Sequence, residues 1–154
     1  MNDVISAIAT AQGRGGIAVV RLSGEGSLGL AKKMFSHGGE YLPNTMYAGT
    51  IDCGSFQDYG LCVYFRAPKS FTGEDCVEFH CHGGTEIARG VLARTLSLGA
   101  RLADRGEFTK RAFLNGKLSL ASAEGMADMI NAESLAQVRA GFSLYTESLT
   151  NEGR

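Results

Sequence analysis

The run Cys76-Val77-Glu78-Phe79-His80-Cys81-His82 alternates apolar with ionisable side chains. Successive side chains of an extended strand point to opposite faces, so Val77, Phe79 and Cys81 share one face while Glu78, His80 and His82 share the other. A carboxylate with two imidazoles is a donor set for zinc or non-haem iron. Same-face neighbours on a strand stand roughly 7 Å apart, however, which makes it awkward to converge all three on one ion. A Glu/His/His metal-binding protein is therefore one alternative for this chain. Arg21 lies inside the apolar run 17–22, where a guanidinium is costly unless a structural carboxylate or an anionic ligand pairs with it. Lys117 follows Gly116 at a turn and not on a charged helix surface, which suits a placed residue better than a solubilising one. Around it, Arg101, Arg105, Lys110, Arg111 and Lys117 against Asp104 and Glu107 make residues 101–117 locally +3; the plain reading of that excess is a solvated helix face.

Two nucleotide motifs are excluded by their surroundings. Gly13-Arg14-Gly15-Gly16-Ile17-Ala18 has the spacing of a dinucleotide fingerprint, but the residues that follow are β-branched and supply no helix N-terminus for a pyrophosphate. No Gly-x4-Gly-Lys-(Ser/Thr) occurs, since Asn115-Gly116-Lys117-Leu118-Ser119 lacks both the upstream glycine and the adjacent hydroxyl.

The elements that must position these residues follow from periodicity. Residues 4–10 and 17–22 predict two strands joined as a hairpin across the glycine cluster. Residues 27–35 predict a short helix with Leu28, Ala31 and Phe35 on one face, stopped at His37-Gly38-Gly39. Strands are expected at 47–53, 61–66 and 76–82, with a loop around Pro43. A helix then opens at Gly83-Gly84, with Ile87, Val91 and Leu98 on its stripe. Residues 101–103 predict an edge strand and 107–114 a helix closed by Asn115-Gly116. This alternation suggests an α/β or α+β fold, a mixed sheet with helices on one face. From Leu120 a helical stripe runs through Ala123, Ala127, Ile130, Ser134, Val138, Phe142, Tyr145 and Leu149. The expected division is thus a first domain over 1–118 and the start of a helical domain over 119–154.

Composition narrows the class. At 154 residues, 44% of them hydrophobic, the chain can bury one core. With 15 basic and 16 acidic side chains it lacks the overall charge of a dedicated nucleic-acid or membrane-surface binder. Glycine, 21 residues, is about twice the usual share of roughly 7%, and its scatter points to turns. Apolar runs are too short to span a membrane. The first residues have neither signal nor transit character, which reads as cytoplasmic. Four cysteines without a Cys-x-x-Cys pair read as reduced, buried thiols.

Four runs, in order and spacing, resemble the N-terminal part of the bacterial tRNA modification GTPase family MnmE/TrmE. They are Gly13-Arg14-Gly15-Gly16-Ile17-Ala18-Val19-Val20-Arg21-Leu22-Ser23-Gly24, Ser70-Phe71-Thr72-Gly73-Glu74-Asp75, the segment from Glu78 to His82-Gly83-Gly84, and Gly106-Glu107-Phe108-Thr109-Lys110-Arg111-Ala112-Phe113-Leu114-Asn115-Gly116-Lys117. The likeness continues through Ala123-Glu124 and Asp128. Ala11-Gln12, Asp104 and Ser119 depart from the family pattern, in positions that touch loop stiffness more than the implied site.

The resemblance implies a tetrahydrofolate-binding domain similar to that of the glycine-cleavage T-protein, followed by C-terminal helices of a truncated helical domain. Family folate contacts carry over to Arg21, Glu78 and Lys117, with 5-formyltetrahydrofolate or 5,10-methylenetetrahydrofolate as ligand. It further implies a homodimer, a flavoprotein partner, MnmG, that carries the flavin, and a tRNA whose wobble uridine receives an aminomethyl or carboxymethylaminomethyl group. No GTP, potassium or magnesium site and no catalytic residue is expected within residues 1–154, and no activity of the chain alone. The competing expectations are a stand-alone folate-binding or folate-dependent transferase domain and a pure dimerisation module.

Overall fold

The computed structural model describes residues 3–10 and 16–118. The glycine cluster's first residues and everything after Leu118, including the expected domain boundary and helical stripe, lie outside the described residues. In chain order the elements are β1 (Ile5–Ile8), β2 (Ile17–Ser23), α1 (Ser27–Lys32), β3 (Met46–Asp52), β4 (Gln57–Phe65), β5 (Cys76–His82), α2 (Thr85–Ser97), β6 (Arg101–Leu102) and α3 (Glu107–Leu114). Six strands form one mixed sheet in the order β3-β4-β5-β2-β1-β6. The described neighbours pair antiparallel except β1 with β6, which is parallel.

Strand parity divides the sheet into two unlike faces. On one, Val20 and Leu22 of β2, Val77 and Phe79 of β5, Cys62 and Tyr64 of β4 and Ile51 of β3 pack with Leu30 and Ala31 of α1 and Ala88, Val91 and Leu92 of α2. Ser6 of β1 joins this face through its hydroxyl, 2.8 Å from Thr95 Oγ1 of α2. On the other face Ile5 and Ala7 pack with Ala103, Phe108 of α3 and Phe71. The expectation of helices on one face therefore holds for α1 and α2 and fails for α3, which covers the opposite face at the β1 side.

Two boundaries differ most from the periodicity, while β1, expected over 4–10, is confined to Ile5–Ile8. β4 starts at Gln57, not near 61, because the polar start of the strand pairs with β3 down to Asp52 opposite Gln57. α1 stops at Lys32, and Phe35, instead of extending the helix, makes a bridge to Ile51. All four cysteines are free and buried. Burial pushes the Cys62 and Cys81 thiols up to about 12.

α3 is tied to the sheet by charge as well as by Phe108. Arg111, 1% exposed, donates to Asp3 Oδ1 at 2.7 Å, Glu74 Oε1 at 3.0 Å and Glu107 Oε2 at 3.3 Å, and also to the Asp3 carbonyl at 3.0 Å. Arg101 lies alongside, bonded to Asp3 Oδ2 at 2.7 Å and Glu107 Oε2 at 2.8 Å. Two of the five cations of residues 101–117, Arg101 and Arg111, are thus held inside ion pairs, and Arg111 is not on a solvated helix face, whereas Arg105, Lys110 and Lys117 are exposed.

Replacing Arg111 with Met would leave three carboxylates facing one another with their central cation gone. Urea denaturation should show a loss of about 3–5 kcal/mol; a change near zero would mean that the carboxylates relax into solvent. Acid should weaken the same network. The Arg101 and Arg111 guanidinium groups hold Asp3 at about 2, below its ordinary 3.8. Burial pushes Glu107 up, but the bonds from Arg101 and the Asp104 amide outweigh it and leave that carboxyl lowered. Depressed folded values mean that the stabilisation is complete above the unfolded values and is lost as pH falls through the folded ones. The urea midpoint is expected to drop between about pH 4 and pH 2, and less so in Arg101→Met.

Candidate functional site

β5 sits between β4 and β2, and its register places Glu78 opposite Arg21 on one side and Val63 on the other. The period of two turns Arg21, Glu78 and His80 away from α1 and α2, as the alternation of β5 predicts. Arg21 Nε donates to Glu78 Oε2 at 3.1 Å, and His80 Nε2 lies 3.0 Å from Glu78 Oε1. The three side chains are 22%, 18% and 23% exposed, so they are half-sunk in the face but reach its surface. Because the carboxylate only accepts, the proton of that second bond sits on His80 Nε2.

Arg21 is also bracketed by aromatics. Its guanidinium carbon lies 5.0 Å from the centroid of Phe71 and 5.7 Å from that of Phe108, within the range of a cation–π contact. The sequence reading left Arg21 needing either a structural carboxylate or an anionic ligand. The structure supplies the carboxylate, and it is the other candidate residue, Glu78.

Lys117 reaches the neighbourhood by another route. α3 ends in a Schellman turn: Gly116 takes φ +75°, its amide bonds the Phe113 carbonyl at 3.0 Å, and the Lys117 amide bonds the Ala112 carbonyl at 2.8 Å. A residue other than glycine resists that left-handed conformation, so the turn fixes where Lys117 leaves the helix. Its ammonium is exposed and donates to the Pro68 carbonyl at 3.2 Å. Asn115 Nδ2 donates to the Thr72 carbonyl at 2.8 Å. Gly73, at φ +85°, lets the two segments meet, since a Cβ there would stand 2.9 Å from Asn115 Cβ and 3.4 Å from Lys117 Cγ.

The structure therefore joins Arg21 and Glu78 directly and connects Lys117 to them only through the 66–75 loop, which holds Lys117 at Pro68 and presents Phe71 to Arg21. A cleft of about 340 Å³ opens on the same loop, lined by Pro43, Asn44, Arg66, Ala67, Pro68 and Lys69.

His82 parts company with Glu78 and His80. Its Nδ1 is 2.8 Å from Asp58 Oδ1 and its amide donates to Asp58 Oδ2 at 3.0 Å. Among the described residues no group of three His, Cys, Asp or Glu side chains could hold a metal ion; the spacing along the strand keeps the two imidazoles on different carboxylates. Sequence reasoning missed Phe71 and the buried role of Arg111. The first could have been suspected as an aromatic between turn-forming residues, whereas nothing local marks the second.

Comparison with known proteins gives consistent results. A family model described as GTP-binding protein TrmE N-terminus matches residues 4–117. The tRNA modification GTPase MnmE of Azoarcus sp. (strain BH72) is 47% identical over 150 residues, covering 97% of this chain and 33% of the relative. The protein of the same name from Laribacter hongkongensis (strain HLHK9) is 52% identical over 139 residues, 89% of this chain and 31% of the relative. That from Dechloromonas aromatica (strain RCB) is 49% identical over 142 residues, 90% and 31% respectively. The chain thus spans about a third of the length of these relatives.

Proposed function

The chain belongs to the family described as GTP-binding protein TrmE N-terminus, and from that premise we propose that it is the folate-binding and dimerisation portion of a GTPase that modifies the wobble uridine of tRNA. The ligand is a reduced folate, 5-formyltetrahydrofolate or 5,10-methylenetetrahydrofolate, which supplies the one-carbon unit when bound. The observation that carries this reading is the half-buried Glu78 carboxylate, held centrally on the sheet face that α1 and α2 leave uncovered.

Donor chemistry fits the group. A pterin edge offers two parallel N–H donors, which a carboxylate accepts as a fork. An ionised carboxylate has about four lone-pair sites, and Arg21 and His80 account for one on each oxygen of Glu78. Phe71 offers an aromatic face beside the pair. Lys117 is bonded to a neutral carbonyl and no carboxylate pairs with it among the described residues, so its charge is free for the ligand's glutamyl carboxylates or a carbonyl oxygen. Arg66 and Lys69 on the adjoining cleft extend that positive edge.

In this reading a second copy of the chain completes a two-fold dimer, the flavoprotein MnmG carries the flavin, and tRNA contact is shared between them in the cytoplasm. A near-neutral chain suits such sharing. GTP hydrolysis belongs to the two thirds of the relatives that this chain does not span. No helix among the described residues is long and apolar enough to cross a membrane.

Calorimetric titration with 5-formyltetrahydrofolate should show saturable binding, and Glu78→Gln should weaken it about 10- to 100-fold through loss of charge-assisted hydrogen bonds. Equal affinity of the two proteins would remove Glu78 from the site. Light scattering at micromolar concentration should give the mass of a dimer; a monomer would count against the pairing half of the proposal.

A further inference from the structure

Glu78 is gripped from both sides by donors of different kinds, and the two grips serve different ends. The bond from Arg21 joins β2 to β5 and helps to register the strands. The bond from His80 joins two residues of the same strand, two positions apart, and so adds nothing to strand pairing. Its neighbours across the sheet are Val19 and Leu61, a setting in which an apolar side chain would pack without a polar group to satisfy.

Resting on the folate reading above, we propose that His80 is a positioning residue of the site, holding the Glu78 carboxylate in the orientation that presents both oxygens to a ligand's paired N–H donors. The terminal torsion of a glutamate is broad and nearly free. Held by Arg21 alone, the carboxylate can rotate toward the guanidinium and take it in a two-bond fork, the geometry such pairs prefer. That rotation withdraws both oxygens from a ligand. With Nε2 of His80 on Oε1 at 3.0 Å and Nε of Arg21 on Oε2 at 3.1 Å, one donor pins each oxygen and the rotation is blocked. One lone pair on each oxygen then remains for the ligand, side by side. Restricting the acceptor before the ligand arrives lowers the ordering cost of binding.

The test titrates wild type, His80→Ala and His80→Gln with 5-formyltetrahydrofolate by calorimetry, with thermal melts to confirm that each variant folds. His80→Ala should bind about 10-fold more weakly. His80→Gln, whose amide can donate to the same oxygen, should recover to within about threefold of wild type. In a Glu78→Gln background, His80→Ala should add little, because the two residues act through one group. Folded His80→Ala with wild-type affinity overturns the assignment. So does a Gln variant no better than Ala, or losses that simply add in the double variant. Wild type that fails to bind the folate overturns the folate reading, and this assignment with it.

Discussion

Three separate stretches of chain converge on one buried cation. Asp3 precedes β1, Glu74 lies in the loop before β5, and Glu107 opens α3; Arg111, one turn further along that helix on the same face, bonds all three. A guanidinium almost fully removed from water is tolerable only with its charge matched; both terminal nitrogens of Arg111 are bonded while its Nε is left without a partner, so the surrounding backbone has little freedom once this residue is in place. Glu74 is further bonded by Ser23 at 2.7 Å, and Ser23 meets Thr72 at 2.7 Å. The 66–75 loop inherits its shape from these contacts, together with the bond from Ser70 to the Glu74 carbonyl and the bond from Asn115 to Thr72. Phe71 over Arg21 and Lys117 at Pro68 are consequences of that shape.

Sheet parity supplies the second constraint. An antiparallel sheet with one face packed can leave the other to solvent, and here α1 and α2 take one face whole while α3 takes only the β1 end of the other. Polar chemistry can then be placed on a rigid floor without entering the main core. Because the side-chain period is two, a slip of one residue between β2 and β5 would turn one strand over, sending either Arg21 or Glu78 into the apolar layer and parting the pair. The apolar residues Val20, Leu22, Val77 and Phe79 therefore secure the site's register as much as the ion pair does.

Much of this arrangement is legible in the sequence wherever the signal is local. β5 and α3 have the bounds that alternation and the Asn-Gly stop suggest, and Gly116 announces the turn that places Lys117. The pairing of Arg21 with Glu78 is legible in kind, as a guanidinium in want of a carboxylate, but not in partner, because residues 57 positions apart meet only through strand order. Arg111 illustrates the limit: on its helix it looks like any solvated arginine, and its burial comes from Asp3, 108 positions away, and from Glu74, 37 away. The start of β4 escapes periodicity for a related reason, since Gln57 to Tyr59 are recruited by pairing with β3 and not by burial.

The uncovered face has a character of its own. By register, Ile17, Tyr59 and Met46 share it with Arg21, Glu78 and His80, and they are 62%, 63% and 48% exposed. A polar trio set among exposed apolar side chains suits a partner surface better than bulk water, because apolar area left open on a sheet tends to be buried in association. Were the Arg21–Glu78 pair only a brace between strands, nothing in that role would call for a bare apolar surround, and α3 could as readily have extended over it. A ligand whose ring lies against this face beside Phe71, with a second surface closing over it, would satisfy the apolar and the polar parts together. The proposed folate site and the proposed dimer contact thus place related demands on one face of the sheet.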